Sequence, residues 1–294
     1  MLQVLDIDDA TGEVKFLDMQ TVSVMDVRVL EGYKKKKALE TRQELAARQS
    51  KNPFVWEIYE LSKLRWPDVA PANITRMMFL STYLSRDGFL VSAGHQPLTR
   101  DELPDLLQCS ERQFYNFWRD MKSAGVFVEK DGRICSDGSK FFKGDLGGGR
   151  EVAKMAEDGL YVMRLYVNGV RELYKKATAK SLKTLSYIFQ ILPFVNREYN
   201  VVCRNPLETD LQKIEPMTLG EFCEIVGYDS KNAYRMSKQL FSPTFMVGKS
   251  EQRAVRYVLD KSLDRESYSI FINPNVYYAG SNPERVEILG AFRG

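Results

Sequence analysis

Two short polar runs, Glu111-Arg-Gln-Phe-Tyr-Asn116 and Ser230-Lys-Asn-Ala-Tyr-Arg235, carry a cation, an amide and a tyrosine in the same order. On a helix these groups can read DNA: a guanidinium fits guanine in two bonds, a carboxamide fits adenine, and cations neutralise phosphates. Helical spacing turns Phe114, Trp118 and Met121 inward in the first run, and Ala233 and Leu240 in the second. That leaves Arg112, Gln113, Tyr115, Asn116 and Arg119 outward on one helix, and Lys231, Asn232, Tyr234, Arg235 and Lys238 on the other. Gln113 and Asn232 are the natural adenine readers, and Arg112 and Arg235 suit guanine. Arg119 and Lys238, further along, suit phosphate.

Chemistry of other kinds finds little support. His95 is the single histidine, which excludes a two-histidine metal site. Ser-His-Asp and Cys-His systems need only one, but Ala93-Gly-His-Gln-Pro97 reads as a surface loop with no nucleophile motif around it. The carboxylates form no calcium-loop pattern. Asp6, Asp8 and Asp9 stand beside a turn, where carboxylates without further ligands are solvated. Gly144-Asp-Leu-Gly-Gly-Gly149 lacks the lysine of a phosphate-binding loop and reads as a chain break. Cys109, Cys135, Cys203 and Cys223 have no C-x-x-C spacing and read as buried thiols of a reducing cytoplasm. The expectation is a cytoplasmic protein that is not an enzyme, with no catalytic residue, metal or cofactor.

The elements that must position the two polar runs form an internal repeat. Leu98-Thr-Arg-Asp-Glu-Leu-Pro-Asp-Leu-Leu-Gln-Cys-Ser110 aligns without a gap on Met217-Thr-Leu-Gly-Glu-Phe-Cys-Glu-Ile-Val-Gly-Tyr-Asp229. Thr99/Glu102 and Thr218/Glu221 are capping boxes, in which each side chain satisfies an orphan backbone donor at a helix start. Leu103, Leu106 and Leu107 match Phe222, Ile225 and Val226 as the apolar face of a short helix. Ser110 and Asp229 then cap a second helix, giving two helix-turn-helix units.

The flanks repeat as well. Upstream of each unit lies an amphipathic helix, from Asn73 to Leu84 and from Thr178 to Leu192, followed by Phe89–Ser92 or Asn200–Cys203 in extended form. Downstream, Gly125–Cys135 reads as a hairpin with an Asp-Gly turn, and Phe245–Val247, Ala254–Leu259 and Tyr268–Ile272 supply strands. Phe141-Phe-Lys-Gly144 matches Tyr277-Tyr-Ala-Gly280 at the two exits. The fold class expected is α+β: two tandem winged-helix domains with small β-hairpins. Lys130 and Arg133 on the first wing, and Lys249, Arg253 and Arg256 on the second, are expected at phosphates or the minor groove.

The division expected along the 294 residues is an N-terminal β-hairpin (1–32), a charged helical linker (33–70), a first winged helix (71–146), a Gly-rich break with a hairpin at Asn168-Gly169 (147–176) and a second winged helix (177–294). Lys34–Lys37 opens the charged stretch. The net charge of +3 excludes a histone-like binder, so clustering of the basic residues matters more than their sum. No apolar run spans a bilayer and no signal peptide is visible, so no membrane partner is expected.

From Ala177 onward the chain resembles the RepL-type replication initiators of Gram-positive plasmids. The likeness lies in a Leu- and Ile-rich helix, a helix-turn-helix, the run Ser269-Ile-Phe-Ile-Asn-Pro-Asn-Val-Tyr-Tyr-Ala-Gly280 and the ending Glu287-Ile-Leu-Gly-Ala-Phe292. That family has one such unit, and the upstream copy departs from it. The resemblance implies a double-stranded DNA-binding protein of a plasmid or phage that binds origin repeats and recruits replication proteins. Two half-sites would be read by units joined through a linker. A transcription regulator working with RNA polymerase, and an adaptor whose winged helices bind protein, stay open, as does a homo-oligomer.

Overall fold

The computed structural model describes residues 2–7, 14–18, 52–144, 154–260 and 267–280, with Pro283, Val286 and Phe292. The chain divides into Met1–Asn52 and Pro53–Gly294. In the first part β1 (Leu2–Ile7) pairs antiparallel with β2 (Val14–Asp18), the hairpin anticipated there. The turn at Asp9–Gly12, the stretch at Lys34–Lys51, the glycines at 147–149 and most of the terminal Glu287–Phe292 motif lie outside the described residues.

The second part mixes helices and strands, and its two repeats are built into one body. The first repeat runs β3 (Phe54–Glu60), α1 (Pro71–Ser81), α2 (Leu103–Leu106), α3 (Glu111–Ser123), β4 (Val128–Lys130), β5 (Arg133–Cys135) and β6 (Phe141–Phe142). The second runs β7 (Leu160–Tyr166), α4 (Val167–Lys176), α5 (Ala179–Gln190), α6 (Leu219–Ile225), α7 (Ala233–Leu240), β8 (Thr244–Val247), β9 (Ser250–Arg253), β10 (Val255–Asp260), β11 (Ser267–Ile272) and β12 (Tyr277–Tyr278).

Four of these strands make one sheet in the order β12-β7-β3-β6. The opening strands β3 and β7 pair antiparallel at its centre, and each closing strand pairs with the opening strand of its own repeat. The register is two-fold. Trp56 pairs with Arg164, and outward from that pair Trp56 meets Phe142 while Arg164 meets Tyr278. The likeness of Phe141-Phe to Tyr277-Tyr is therefore that of two equivalent edge strands. Along β3, Val55, Glu57 and Tyr59 are buried while Phe54, Trp56 and Ile58 are half-buried, the alternation of a strand with one face on the core.

Beneath the sheet α1 packs against α5, with the Thr75 hydroxyl donating to the Leu182 carbonyl at 2.8 Å. A single apolar cluster runs from Val55 and Ile74 through Leu185 and Ile188 to Phe245 and Tyr277. The separate domains expected at 71–146 and 177–294 share this core, because neither copy's pair of strands nor its helix α1 or α5 can bury its apolar face alone. Two further expectations are corrected. Part of the supposed helical linker, Phe54–Glu60, is the central strand β3. Asn168-Gly169 is not a hairpin turn but lies in α4, directly after β7. Gly169 is needed for close approach: a Cβ there would sit 2.2 Å from the Asn275 carbonyl oxygen.

Each repeat also carries a small ladder beside its helices. Leu90 N–H donates to Ile134 and Leu98 N–H to Leu90, both at 2.8 Å, while Val202 N–H donates to Ile270 at 2.8 Å and Met217 N–H to Val202 at 3.0 Å. By this pairing β10–β11 is the counterpart of β4–β5. The β8–β9 hairpin is an addition, and sequence reading missed β9. It packs on α4, the helix that occupies the place of the Leu61–Ala70 loop in the first copy, and Lys176 on α4 meets Glu251 on β9 at 3.0 Å.

Candidate nucleic-acid interface

The helix pair of each repeat is set by its caps. In the first, Thr99 N–H donates to Glu102 Oε2 at 2.7 Å; in the second, Thr218 N–H donates to Glu221 Oε2 at 2.8 Å and Thr218 Oγ1 accepts from Glu221 N–H at 3.2 Å. Bonds from the Thr99 backbone and hydroxyl hold the Glu102 carboxyl below its ordinary range. For Glu221, burial pushes upward but is outweighed by the Thr218 backbone N–H and by Arg204, so its net shift is also downward. Such caps contribute ~1 kcal/mol each. The turn between the helices needs one left-handed residue: Gly227, at φ 68°, in the second copy, and Gln108, at φ 48°, in the first.

Onto these turns follow α3 and α7. The inward faces differ slightly from expectation. Phe114, Phe117, Trp118 and Met121 are buried in α3, and Met236 and Leu240 in α7, whereas Ala233 is half-buried. Phe117 and Met236, at matching positions of the two repeats, were not anticipated; the pattern i, i+3, i+4, i+7 from Phe114 contains Phe117. Each of α3 and α7 packs on the core helix of its own repeat, α1 and α5 respectively.

All the outward residues are exposed: Arg112, Gln113, Tyr115, Asn116 and Arg119 on α3, and Lys231, Asn232, Tyr234, Arg235 and Lys238 on or just before α7. Tyr115 and Tyr234 keep 64% and 73% of their surface in solvent, the most of any large apolar side chains described. Arg119 leans on Asp120 at 3.6 Å, and Lys238 Nζ lies 4.5 Å over the Tyr234 ring. Among the described residues Arg112, Lys231 and Arg235 have no carboxylate partner. Glu111, exposed at the start of α3, opposes the cations there; residues 230–240 contain no acid.

The two amides have a second job. Gln113 Oε1 accepts from Ser110 N–H at 3.2 Å, and Asn232 Nδ2 donates to the capping Asp229 at 3.0 Å. Asn232 belongs to a single 3₁₀ turn, Ser230–Asn232, leading into α7. Each amide thus keeps one of its two groups committed to the helix start. The committed oxygen of Gln113 keeps a second lone pair and the committed nitrogen of Asn232 a second N–H, so an adenine edge can be met in two bonds with the cap in place.

The cations expected on wings divide. Lys130 and Arg133 face each other across the β4–β5 hairpin and are exposed beside the left-handed Asp131-Gly132 turn. Lys249 is exposed next to Gly248 at the tip of the added β8–β9 hairpin. Arg253 donates to the Phe241 carbonyl at 2.6 Å, closing the C-terminal end of α7. Arg256 is half-buried on β10 opposite Phe271. The three cations expected on one second wing therefore sit on a hairpin tip, a helix cap and a sheet, because β8–β9 separates Lys249 from the β10–β11 hairpin.

No family model, curated protein or solved structure matches this chain.

Other chemistry is sparse among the described residues. No group of three or more His, Cys, Asp and Glu side chains is placed to hold a metal ion. His95 is exposed in its loop. Cys203 and Cys223 are buried and Cys109 and Cys135 half-buried, all as free thiols; burial pushes Cys203 up to about 12. No helix described is long and apolar enough to cross a membrane.

Proposed function

We propose that this chain binds double-stranded DNA in a sequence-dependent way, with α3 and α7 as its reading helices, as tandem winged helices joined in one body. The observation that carries the reading is the equivalence of the two exposed faces. A cation, an amide and a largely solvent-exposed tyrosine stand at matching positions on two helices held in matching frames. One polar helix surface needs no purpose, but two that agree in type and order on different backgrounds favour a shared ligand. A base edge and its phosphate use all three groups. The winged-helix assignment draws support from the matching ladders at Leu90/Ile134 and Val202/Ile270. The RepL-type resemblance of the C-terminal repeat favours a replication initiator of a plasmid or phage over a transcription regulator.

The test is a gel shift on the element's own DNA across a salt series. Affinity should fall steeply with salt as phosphate-bound counterions are released. No shift at low salt, where phosphate contacts are strongest, overturns the reading in favour of a protein-binding adaptor. A footprint inside origin repeats supports the initiator role; one over a promoter supports the regulator.

A further inference from the structure

Resting on the DNA-binding reading, we infer that one chain reads two unequal half-sites placed in inverted orientation on one duplex, at a fixed spacing. The sheet carries a local two-fold axis through the Trp56–Arg164 pair, since that pair is its own symmetry mate in the register. The outer pairings Trp56–Phe142 and Arg164–Tyr278 obey the same axis. It extends below the sheet, where α1 and α5 occupy equivalent places and pack on each other. Each reading helix then packs on its own repeat's member of that pair, α3 on α1 and α7 on α5. The operation that turns α3 into α7 is thus a rotation.

A duplex has two-fold axes perpendicular to its own, so a protein two-fold matches half-sites that are inverted. Direct repeats require a translation, which this sheet does not supply. The half-sites must differ, because Arg112-Gln113 on one helix stands where Lys231-Asn232 stands on the other. The spacing is fixed because the repeats share one apolar core and one sheet. A flexible linker would tolerate several spacings; a common core holds one. A homodimer normally supplies this symmetry with two chains, and here one chain contains both halves.

The experiment is selection of bound duplexes from a random library with the full chain, followed by sedimentation of the chain with the winning duplex. Inverted, non-identical half-sites with one chain per duplex support the inference. Insertion of about 5 base pairs between them, half a helical turn, should then lower affinity on the order of a hundredfold. Arg112→Ala and Lys231→Ala should each relax preference in a different half. Enrichment of direct repeats, of a single half-site, or of a site bound by two chains overturns the inference and leaves DNA binding intact. Equal affinity after the 5-base-pair insertion also overturns it. No enrichment of any sequence at low salt removes the DNA reading itself, and the inference with it.

Discussion

Trp56 and Arg164 pair with each other across the centre of the sheet, and each donates to the carbonyl of the glycine that ends its own repeat. Trp56 Nε1 reaches Gly144 at 3.0 Å, and the Arg164 guanidinium reaches Gly280. Two unlike side chains thus do the same work at symmetry-related places. Arg164 also donates to Tyr278 at 3.3 Å and Ala279 at 3.2 Å, which fastens β12 to the sheet edge.

Arg164→Met should therefore destabilise strongly. It keeps the apolar stem but leaves buried carbonyls unpaired, a loss of about 3 kcal/mol for charge-assisted bonds. Trp56→Phe removes one bond and should cost about 1 kcal/mol. Both are read from the urea midpoint at unchanged slope. Equal midpoints for Arg164→Met and the parent would show that the guanidinium does not hold the closing strand.

What was legible in the sequence was short-range. Thr99/Glu102 and Thr218/Glu221 announce helix starts because a capping box is decided within four residues. The inward faces of α3 and α7 follow from periodicity, which also contains Phe117 and Met236 although the expectation did not name them. The β3–β7 pairing was not legible, because residues about a hundred apart in the chain meet there and nothing local in Phe54–Glu60 names its partner. Ser250–Arg253 escaped notice as a strand because it has no apolar alternation, its only buried member being Gln252. Gln108 hides the turn that Gly227 makes plain at the matching position. At Asn168-Gly169 a strong local turn signal gave way to tertiary packing, with the glycine used for approach to Asn275.

That last point gives a second prediction. In an ordinary helix interior Gly→Ala stabilises by up to ~1 kcal/mol. At Gly220, in the first turn of α6, the nearest neighbour of an added Cβ is the Thr218 hydroxyl oxygen at 3.8 Å, so Gly220→Ala should stabilise in the same sense by a smaller amount. Gly169→Ala should reverse it and destabilise by ~1–3 kcal/mol, because the Asn275 carbonyl is backbone and cannot turn away. Thermal midpoints of the two variants should move in opposite directions.

A third prediction concerns pH. Glu57 is fully buried; burial pushes its carboxyl above the ordinary value, against the Arg65 guanidinium, which pulls it down. Its Oε1 accepts from Arg65 at 2.8 and 3.2 Å, and its Oε2 has no partner among the described residues. With the folded value raised, the native state holds the proton longer than the unfolded chain. The contribution is present below the unfolded value of 4.5 and declines as pH rises through the folded value. Arg65→Met removes the downward pull, so the decline should deepen and extend upward in pH. We expect a loss of ~3–5 kcal/mol near neutrality and a smaller one near pH 5. Combining it with Glu57→Gln should remove the extra pH dependence. A loss equal at both pH values would mean that Arg65 acts only through packing on Trp66, over which it lies at 4.3 Å.

The two capping amides allow stability and recognition to be separated. Glutamate at the third helical position is as good a capping partner as glutamine, and a negative charge in the first turn favours the helix dipole. Gln113→Glu should therefore leave the denaturation midpoint within about 0.5 kcal/mol of the parent. On DNA the same carboxylate would face phosphates and would lose the amide donor that adenine N7 requires. Affinity for cognate duplex should fall at least about tenfold, one base contact being worth ~1–3 kcal/mol. Asn232→Asp tests the second helix in the same way, with the added charge lying beside Asp229, so its stability should drop slightly where that of Gln113→Glu does not. If both variants fold and bind as the parent does, Gln113 and Asn232 serve only as caps. The reading face then begins at Tyr115 and Tyr234, and alanine at those two positions becomes the deciding measurement.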